Sequence, residues 1–341
     1  MTSNAASTAD ADRRLDALGR YAADTLALAS VVLVPASGDA SFRRYFRIAL
    51  ADGASVIAVD APPARENLAG FVRIARALAT LDLNVPRVLG CDVEEGFALL
   101  SDLGRETYLM RLEAGADPAP LYAAAIEALV RLQSWRAPEL PEYDAPLLDA
   151  ETALFEDWLL DRHLGLKMST TETKLVAQTR ARLATLALAQ PRVAVHRDYH
   201  SRNLMACAPL PGILDFQDAV FGPVSYDLVS LLKDCYIAWP RERVLEWLRF
   251  YRECAFATGI PAGASEAEFL GWFETMGMQR HLKAAGIFAR LWHRDGKAHY
   301  LRDIPRTLNY VVEAAREQAE FIAFGDFLAA RVLPALDEVM I

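Results

Sequence analysis

The alternation of hydrophobic and polar positions divides the chain into a strand-rich first third and a helical remainder. Short β-type runs bounded by turn residues lie at 31–34, 55–60, 85–91 and 97–100. Apolar residues recur at helical spacing over 12–28 and 67–81, which predicts two helices in the same part of the chain. The pattern therefore predicts a small sheet with accompanying helices at the beginning of the protein.

Beyond residue 103 the periodicity is mostly helical. Helices are predicted at 121–135, 151–164, 173–189, 226–239, 241–258, 266–292 and 307–341, with a proline-broken loop at 137–148. A small antiparallel sheet followed by a large helical part is an α+β arrangement. We predict an N-terminal domain over residues 1–102, with a five-stranded sheet, and a mostly helical C-terminal domain over residues 103–341.

Two polar stretches interrupt the helical part and carry the candidate chemistry. The first reads His-Arg-Asp-Tyr-His-Ser-Arg-Asn at residues 196–203, with Asp198 and Asn203 five positions apart. In the second, Asp215 ends a short apolar run. At a phosphotransfer site, this spacing provides an aspartate that accepts the proton of the attacking hydroxyl. An asparagine and a second aspartate then hold Mg²⁺, which prefers hard oxygen ligands, against the phosphates of ATP.

These motifs resemble the aminoglycoside phosphotransferase/choline kinase-like family, which is related to the protein kinases. The resemblance implies a bilobal, protein-kinase-like α+β fold that uses ATP as co-substrate and Mg²⁺ as cofactor. It implies that Asp198 is the catalytic base and that Asn203 and Asp215 are metal ligands. Supporting roles at the catalytic loop and the metal site fall to His196, Asp218 and Asp227.

The same resemblance places the phosphates and the adenine of ATP in the N-terminal domain. The implied contacts are Ser41, Arg43 and Arg44 in a phosphate-covering loop, and Leu100 and Asp102 at a hinge beside adenine. The chain departs from the family at two points. Gly38 is the one glycine of the loop, and the strand at 55–60 lacks the lysine that holds the α- and β-phosphates in kinases. An arginine such as Arg44 or Arg47, or the metal with backbone amides, would then anchor the phosphates.

Five stretches narrow the resemblance to family members that phosphorylate the anomeric hydroxyl of N-acetylated amino sugars. They are residues 38–47, 60–63, 196–204, 214–219 and 279–283. The implied reaction converts N-acetylmuramate and N-acetylglucosamine to their α-1-phosphates in the recycling of cell-wall peptidoglycan. The expected sugar contacts are Trp158, His200, Arg202, Arg280 and Lys283. An arginine or a lysine suits the lactyl carboxylate of muramate.

Composition and charge restrict the partners. The net charge of −9 argues against a nucleic-acid-binding protein. Residues 279–306, however, hold seven Lys or Arg and only two acids, which indicates either an anionic ligand or a solvated basic face. No apolar run of about eighteen residues predicts a membrane helix, the polar start predicts no signal peptide, and the four cysteines are scattered. We therefore expect a monomeric cytoplasmic protein with ATP and a small amino sugar as its partners, and with neither nucleic acid nor membrane.

Three other functions remain open at this point. An aminoglycoside or another small-molecule hydroxyl could be the acceptor, since the acidic net charge permits a polycation, although the basic segment favours an anion. A nucleotide-binding pseudokinase would fit the missing strand lysine and the glycine-poor loop. A zinc hydrolase could use His196, Asp198 and His200, which would point the same way on a strand. The strand is predicted to end near His196, which opposes the zinc site.

Overall fold

The computed structural model describes residues 2–36, 42–136 and 140–339, with side chains from residue 13 onward in the first range. The chain divides into two compact units. Unit 1 comprises Met1–Glu106 and Met205–Gln217, and unit 2 comprises Thr107–Leu204 and Asp218–Ile341. The prediction that residues 1–102 bind ATP and residues 103–341 bind the sugar and the metal stays a prediction.

Unit 1 is built on a five-stranded antiparallel sheet, as predicted, and its strand order is β1-β2-β3-β5-β4. Its strands are β1 (Val34–Pro35), β2 (Arg44–Ala49), β3 (Ser55–Asp60), β4 (Val88–Asp92) and β5 (Phe97–Ser101). Two helices accompany the sheet, α1 (Thr2–Leu26) and α2 (Leu68–Ala79). Further along the chain, β7 (Leu204–Met205) and β8 (Gly212–Ile213) form a two-stranded sheet.

The core of unit 1 follows from the period of two along its strands. In β2, Phe46 and Ile48 are buried while their neighbours are more exposed. They pack in one cluster with Leu18 and Ala22 of α1, and with alternate residues of β3 and β5. Helix α1 thus covers the apolar face that the strand pattern creates, and burial of that face stabilises the sheet.

Unit 2 is mainly helical. Its helices are α3 (Tyr108–Glu113), α4 (Pro118–Gln133), α5 (Ala145–Leu154), α6 (Thr170–Leu188), α7 (Tyr226–Leu232), α8 (Arg241–Thr258), α9 (Glu266–Asp295), α10 (Ile304–Arg316), α11 (Ile322–Phe327) and α12 (Leu333–Val339). Segments of π-helix lie at Phe155–His163 and Leu328–Val332, and 3₁₀ turns at Ala298–Asp303 and Ala319–Phe321. Two short strands, β6 (Arg192–Val195) and β9 (Val220–Pro223), pair antiparallel.

Helix α9 is the centre of unit 2. Its buried residues, among them Met278, Leu282 and Phe288, belong to the largest apolar cluster described in this unit. Gly286 permits an especially close approach, because a Cβ atom at this position would lie 2.3 Å from the carbonyl carbon of Leu154. The end of α5 therefore packs directly against the middle of α9.

Several helix boundaries differ from the predictions. Helix α1 begins at Thr2 rather than at residue 12, and larger changes concern α5, α7 and the C-terminal tract. Helix α5 begins at Ala145, inside the predicted loop at 137–148, because Asp144 caps it by accepting the N–H of Leu147. Helix α7 ends at Leu232 rather than at residue 239. The predicted helix at 307–341 is divided after Arg316, where Gln318 takes an extended conformation. Among the described residues, no helix is both long and apolar enough to span a membrane.

Candidate active site

The polar loop at residues 196–203 begins where the buried strand β6 ends. Arg197, the second residue of the loop, has a left-handed φ of 76°. The main-chain N–H groups of His196 and Arg197 donate to the carboxylate of Asp227, at 2.6 and 2.9 Å. Asp227 lies fully buried in the first turn of α7, and burial raises its pKa to about 6 against the opposing effect of His196 and the two N–H groups. One buried side chain thus fixes the turn before Asp198.

The two predicted catalytic-loop residues face each other across this turn. The side-chain amide of Asn203 donates to the main-chain carbonyl of Asp198 at 3.0 Å. The N–H of Asp198 donates to Nδ1 of His196 at 3.2 Å, which requires a neutral imidazole with an acceptor at Nδ1. His196 is fully buried and packs edge-on against Tyr199. It therefore positions the loop and is not in contact with solvent.

This geometry opposes the zinc alternative. The strand ends at Val195, and the left-handed Arg197 breaks the alternation that would align His196, Asp198 and His200. Within residues 2–36, 42–136 and 140–339, no group of three or more His, Cys, Asp or Glu is arranged to hold a metal ion. His200 is buried, and burial lowers its pKa so that the ring is neutral.

Beside Asp198 lies a network of charges centred on Glu151 of α5. The ammonium of Lys283 lies 2.8 Å from Glu151 and donates to the hydroxyl of Tyr226 at 3.1 Å. Arg197 forms an ion pair with the same carboxylate, and the hydroxyl of Tyr143 donates to its other oxygen. Although burial would raise it, Lys283 and Arg197 lower the pKa of Glu151. The carboxylate is therefore ionised and holds both cations in place.

The same cations set the charge state of Asp198. Burial alone would raise the pKa of this carboxyl, but the charges of Lys283 and Arg197 lower it below its ordinary value. Burial alone would lower the pKa of the Lys283 ammonium. Tyr226 and Glu151 oppose this effect, and the pKa of Lys283 is raised above its ordinary value. Asp198 is thus a carboxylate and Lys283 an ammonium at neutral pH. A partly exposed carboxylate in such a setting can accept a proton.

A cavity of about 80 Å³ opens beside Asp198 within unit 2. It is lined by residues of the loop at 196–203, of α7 and the segment that follows it, and of α9: Arg197, Asp198, His200, Tyr226, Cys235, Tyr236, Arg280, Lys283, Ala284, Ile287 and Phe288. Three of the predicted sugar contacts, His200, Arg280 and Lys283, therefore share one cavity with the predicted base.

The other two predicted sugar contacts lie elsewhere. The guanidinium of Arg202 stacks on Tyr236, 3.7 Å from the ring centre, and so reaches the wall of the cavity from outside. Trp158 packs, partly buried, against the apolar cluster around α9, with Arg162 over its ring. It is not among the residues that line the cavity.

Asp215 belongs to unit 1, where it follows β8. It has a left-handed φ of 62°, its side chain is exposed, and its carboxylate accepts the amide of Gln217 at 2.7 Å. The next residue, Phe216, stacks on Phe71 of α2 with 5.0 Å between the ring centres. This stacking anchors the turn on which Asp215 lies. Asp218, in unit 2, is exposed, and its main-chain carbonyl accepts from Arg197.

The predicted ATP contacts in unit 1 have different surroundings. Arg43 is buried and pairs with Glu66 at 3.0 Å, just before α2. Arg44 donates through Nε and a terminal nitrogen to Asp60, at 2.8 and 2.5 Å, and Arg14 binds the other oxygen of that fully buried carboxylate. Ser41, like Gly38, lies outside the described residues.

At the predicted hinge, Leu100 is buried inside β5, paired with β3 and β4. Asp102 directly follows that strand. Its carboxylate accepts from Arg47, from the hydroxyl of Ser55 at 2.6 Å and from the N–H of Gly104 at 2.9 Å. Although burial opposes it, these donors lower the pKa of Asp102. Its side chain thus braces the end of the strand, and Arg47 is engaged there.

The sequence analysis did not single out Glu151, Tyr226 or Asp234 of unit 2, or Glu66, which pairs with Arg43 in unit 1. Asp234 is fully buried and accepts the main-chain N–H groups of Ser201 and Tyr236, at 2.9 and 2.8 Å. Lys233, which takes φ −115° and ψ 54°, turns the chain out of α7 and so delivers Asp234 to the loop. The only sequence signal for Asp234 is an acidic residue directly after an apolar run, and nothing local distinguishes Glu151.

Comparison with known proteins yields both a family and relatives. A model of the phosphotransferase enzyme family matches residues 32–266. The chain is 47% identical to the N-acetylmuramate/N-acetylglucosamine kinase of Pseudomonas aeruginosa over 299 residues, which cover 87% of this chain and 88% of that protein. It is 46% identical to the kinase of the same name from Neisseria meningitidis over 289 residues, covering 84% and 86%.

Solved structures with a similar fold support the fold class. A choline kinase of Streptococcus pneumoniae superimposes with a TM-score of 0.60 at 11% identity, covering 88% of this chain and 99% of that one. An ADP-bound aminoglycoside phosphotransferase gives a TM-score of 0.56 at 13% identity, covering 87% and 98%. At such identities the likeness concerns the fold alone, and it confirms the predicted protein-kinase-like α+β class.

Proposed function

The chain belongs to the phosphotransferase enzyme family, and from this premise we propose that it transfers the γ-phosphoryl group of ATP to the anomeric hydroxyl of N-acetylmuramate and N-acetylglucosamine. The products would be the α-1-phosphates of the two sugars, formed in the recycling of cell-wall peptidoglycan. The observation that carries the proposal is 46–47% identity, over most of the chain, to kinases named for these two sugars.

Asp198 is the proposed catalytic base. It is ionised, partly exposed and lines the cavity, so it can accept the proton of an acceptor hydroxyl placed there. An anomeric hydroxyl is more acidic than an ordinary alcohol, so a carboxylate with a low pKa is an adequate base. Most of the rate enhancement in such a transfer comes from positioning and charge neutralisation. His196 and Asp227 support that positioning, because both hold the main chain of the loop.

Asn203 and Asp215 are the proposed ligands of Mg²⁺, and their side chains fit it because both offer hard oxygen atoms. The amide nitrogen of Asn203 donates to the main-chain carbonyl of Asp198, and its amide oxygen is the proposed ligand atom. Bound magnesium would neutralise charge on the phosphate oxygens of ATP. Asp218, exposed on the same stretch of chain, is proposed to support the metal site.

ATP itself is proposed to contact Ser41, Arg43, Arg44, Leu100 and Asp102. Of the two arginines, Arg44 is bound to the fully buried Asp60 through two nitrogens, and Arg43 pairs with Glu66. Arg43 thus resembles the lysine that a glutamate orients in protein kinases. The main chain around Asp102 is proposed to meet adenine.

The sugar is proposed to bind in the cavity beside Asp198, in contact with His200, Arg280 and Lys283, with Arg202 and Trp158 farther out. The basic lining disfavours a polycationic aminoglycoside as acceptor, because like charges repel strongly where water is excluded. We further propose a cytoplasmic monomer without nucleic-acid or membrane partners. Its net charge of −9 and its four unpaired cysteines support this.

The test is a phosphorus NMR assay with Mg-ATP and, separately, N-acetylmuramate, N-acetylglucosamine and kanamycin. The expected result is a new sugar 1-phosphate signal with loss of reducing-end reactivity for both sugars. Phosphate on kanamycin alone would replace the amino-sugar proposal with a resistance-type activity. ATP binding without transfer to any acceptor would instead support a pseudokinase.

A further inference from the structure

Arg280 is a buried cation without a carboxylate partner in the described structure. It lies on α9 with 6% of its surface exposed and lines the cavity that contains Asp198. Its one described hydrogen bond runs to the sulfur of Cys235 at 3.5 Å, and its Nε has no hydrogen-bond partner in the described ranges. A buried charge in this state is strongly unfavourable unless another charged or polar group pairs with it.

The nearest acidic groups are otherwise engaged. Asp234 exerts an electrostatic effect on Arg280, but its two oxygens accept the main-chain N–H groups of Ser201 and Tyr236. Asp198 also acts electrostatically on Arg280, but it is the proposed base for the acceptor hydroxyl. No ion pair within 4.0 Å joins Arg280 to either carboxylate in the described part of the chain.

Lys283, one turn further along α9, is in the contrasting situation. Its ammonium is held by Glu151 at 2.8 Å and by the hydroxyl of Tyr226 at 3.1 Å. Its charge is therefore largely committed within the protein. Of the two predicted carboxylate contacts on α9, Arg280 is the one whose guanidinium keeps unused donors at the cavity.

The chemistry of the two sugars supplies a matching group. N-acetylmuramate carries a lactyl ether on C3 that N-acetylglucosamine lacks, and C3 is separated from the reacting C1 by a single ring carbon. Asp198 and Arg280 line the same cavity, which suits two substituents that lie this close together on one sugar ring. The planar fork of an arginine matches a carboxylate. Ala284 and Ile287, on the same face of α9, offer apolar contact to the lactyl methyl group.

We propose that Arg280 binds the lactyl carboxylate of N-acetylmuramate and thereby selects this sugar over N-acetylglucosamine. The inference rests on the proposed kinase function and assigns its choice of substrate to one side chain. Lys283 instead keeps Asp198 and Glu151 ionised by lowering the pKa of both carboxyls, and so contributes equally to the turnover of both sugars.

The first test needs no variant. The unsubstituted enzyme is assayed with N-acetylmuramate and with its methyl ester, which keeps the shape of the lactyl group but removes its charge. We expect kcat/KM to be about 10- to 150-fold lower for the ester, the range of one hydrogen-bonded charge pair. Equal values for acid and ester would overturn the assignment.

The second test uses Arg280→Gln and Arg280→Lys, with folding checked by thermal melting. In Arg280→Gln the advantage of the acid over the ester should vanish, and kcat/KM should fall more for N-acetylmuramate than for N-acetylglucosamine, because only N-acetylmuramate offers a charge partner. Arg280→Lys should keep part of the advantage. Arg290→Gln, on the same helix and outside the cavity, is the matched control and should leave the ratio unchanged.

The outcomes separate this inference from the function it rests on. An unsubstituted protein that phosphorylates neither sugar overturns both. Turnover of both sugars with an unchanged acid-to-ester ratio in Arg280→Gln overturns only the role of Arg280, as does an equal loss of activity toward both sugars in the folded variant.

Discussion

The main-chain N–H of Arg197 donates to the buried carboxylate of Asp227 across 2.9 Å, and this bond holds the residue directly before Asp198 at a left-handed φ of 76°. Such a backbone costs about 1–3 kcal/mol for a residue with a side chain and persists only where its surroundings enforce it. Here the bond to Asp227 acts together with the ion pair between the Arg197 guanidinium and Glu151. The position of the proposed base is therefore set by contacts from two other helices.

Removal of the base should abolish chemistry while binding survives. We expect Asp198→Asn to lower kcat by about 10²–10⁴-fold, the usual contribution of a general base, with ATP affinity nearly unchanged. Steady-state kinetics and nucleotide calorimetry measure the two quantities. Asp157→Asn, an exposed acid on the π-helical segment, is the control. Turnover near normal in Asp198→Asn would refute the assignment.

Loss of Asp227 should affect both stability and turnover. In Asp227→Ala two buried N–H groups lose their acceptor, and we expect the free energy of unfolding to fall by about 2–5 kcal/mol. At temperatures where the variant is folded, kcat should also fall, because Arg197 is released. Urea unfolding and initial rates measure these effects. A variant with unchanged stability would show that the loop is held by other contacts.

The fall of kcat at low pH, the acid limb of the pH–rate profile, should depend on the charge of Lys283. The carboxyl of Asp198 has a lowered pKa in the folded enzyme, so its basic form persists as pH falls below the ordinary range of an aspartate. Removal of the Lys283 charge in Lys283→Met raises that pKa, and the acid limb of kcat should move to higher pH.

The measurement is kcat against pH from 4 to 8, with unfolding followed in parallel because Glu151 loses an ion-pair partner. Arg294→Met removes a charge near the end of the same helix and should leave the limb in place. An unshifted limb in folded Lys283→Met would mean that another group limits the rate at low pH.

Substitution of Arg43 and of Arg44, neighbours in unit 1, should affect different properties of the enzyme. Arg43→Gln should raise KM for ATP by about tenfold, as expected from the loss of one charge-assisted hydrogen bond to phosphate, and should lower the melting temperature less than Arg44→Gln does. Arg44→Gln should mainly destabilise the protein, since it leaves the buried Asp60 with Arg14 alone. Kinetics and thermal melting for both variants decide between these outcomes; the reverse pattern would exchange the two roles.

Gly286 should be intolerant of any side chain. A Cβ atom there would lie 2.3 Å from the backbone of Leu154, so Gly286→Ala should lower the free energy of unfolding by about 1–3 kcal/mol, the usual cost of overpacking. Gly271→Ala on the same helix is the matched control. Nothing lies within 4 Å of its added methyl group, and it should stabilise the helix by about 0.5–1 kcal/mol. Equal effects of the two substitutions would contradict the close approach.

Much of the site follows from short-range pattern. The spacing of Asp198, Asn203 and Asp215 predicts phosphotransfer, and the sheet of unit 1 follows from strands with a period of two. The hydrogen bond between Asn203 and Asp198 spans only five residues, so their spacing alone brings the two together. Local sequence encodes such contacts because few other conformations are open to a short loop.

Helix ends were less predictable, because competing contacts decide them. The apolar pattern of α7 continues past Leu232, but Asp234 leaves the helix to accept two main-chain N–H groups near the catalytic loop. In the same way, the tract predicted as one helix at 307–341 is divided after Arg316. The spacing of apolar residues reports the local preference for a helix. It carries no information on how much a hydrogen bond to a distant part of the chain stabilises another conformation.

The sequence by itself determined the family and the basic character of residues 279–306, and it predicted the catalytic loop. Only the tertiary structure decided which of those basic residues matters. Lys283 meets Glu151 across 132 positions, whereas Arg280, three residues earlier, is buried without a carboxylate partner in the described chain. Both residues carry the same charge and lie on the same helix. Their difference arises from what α5 and α7 bring against α9, and pairing over such distances leaves no local trace in the chain.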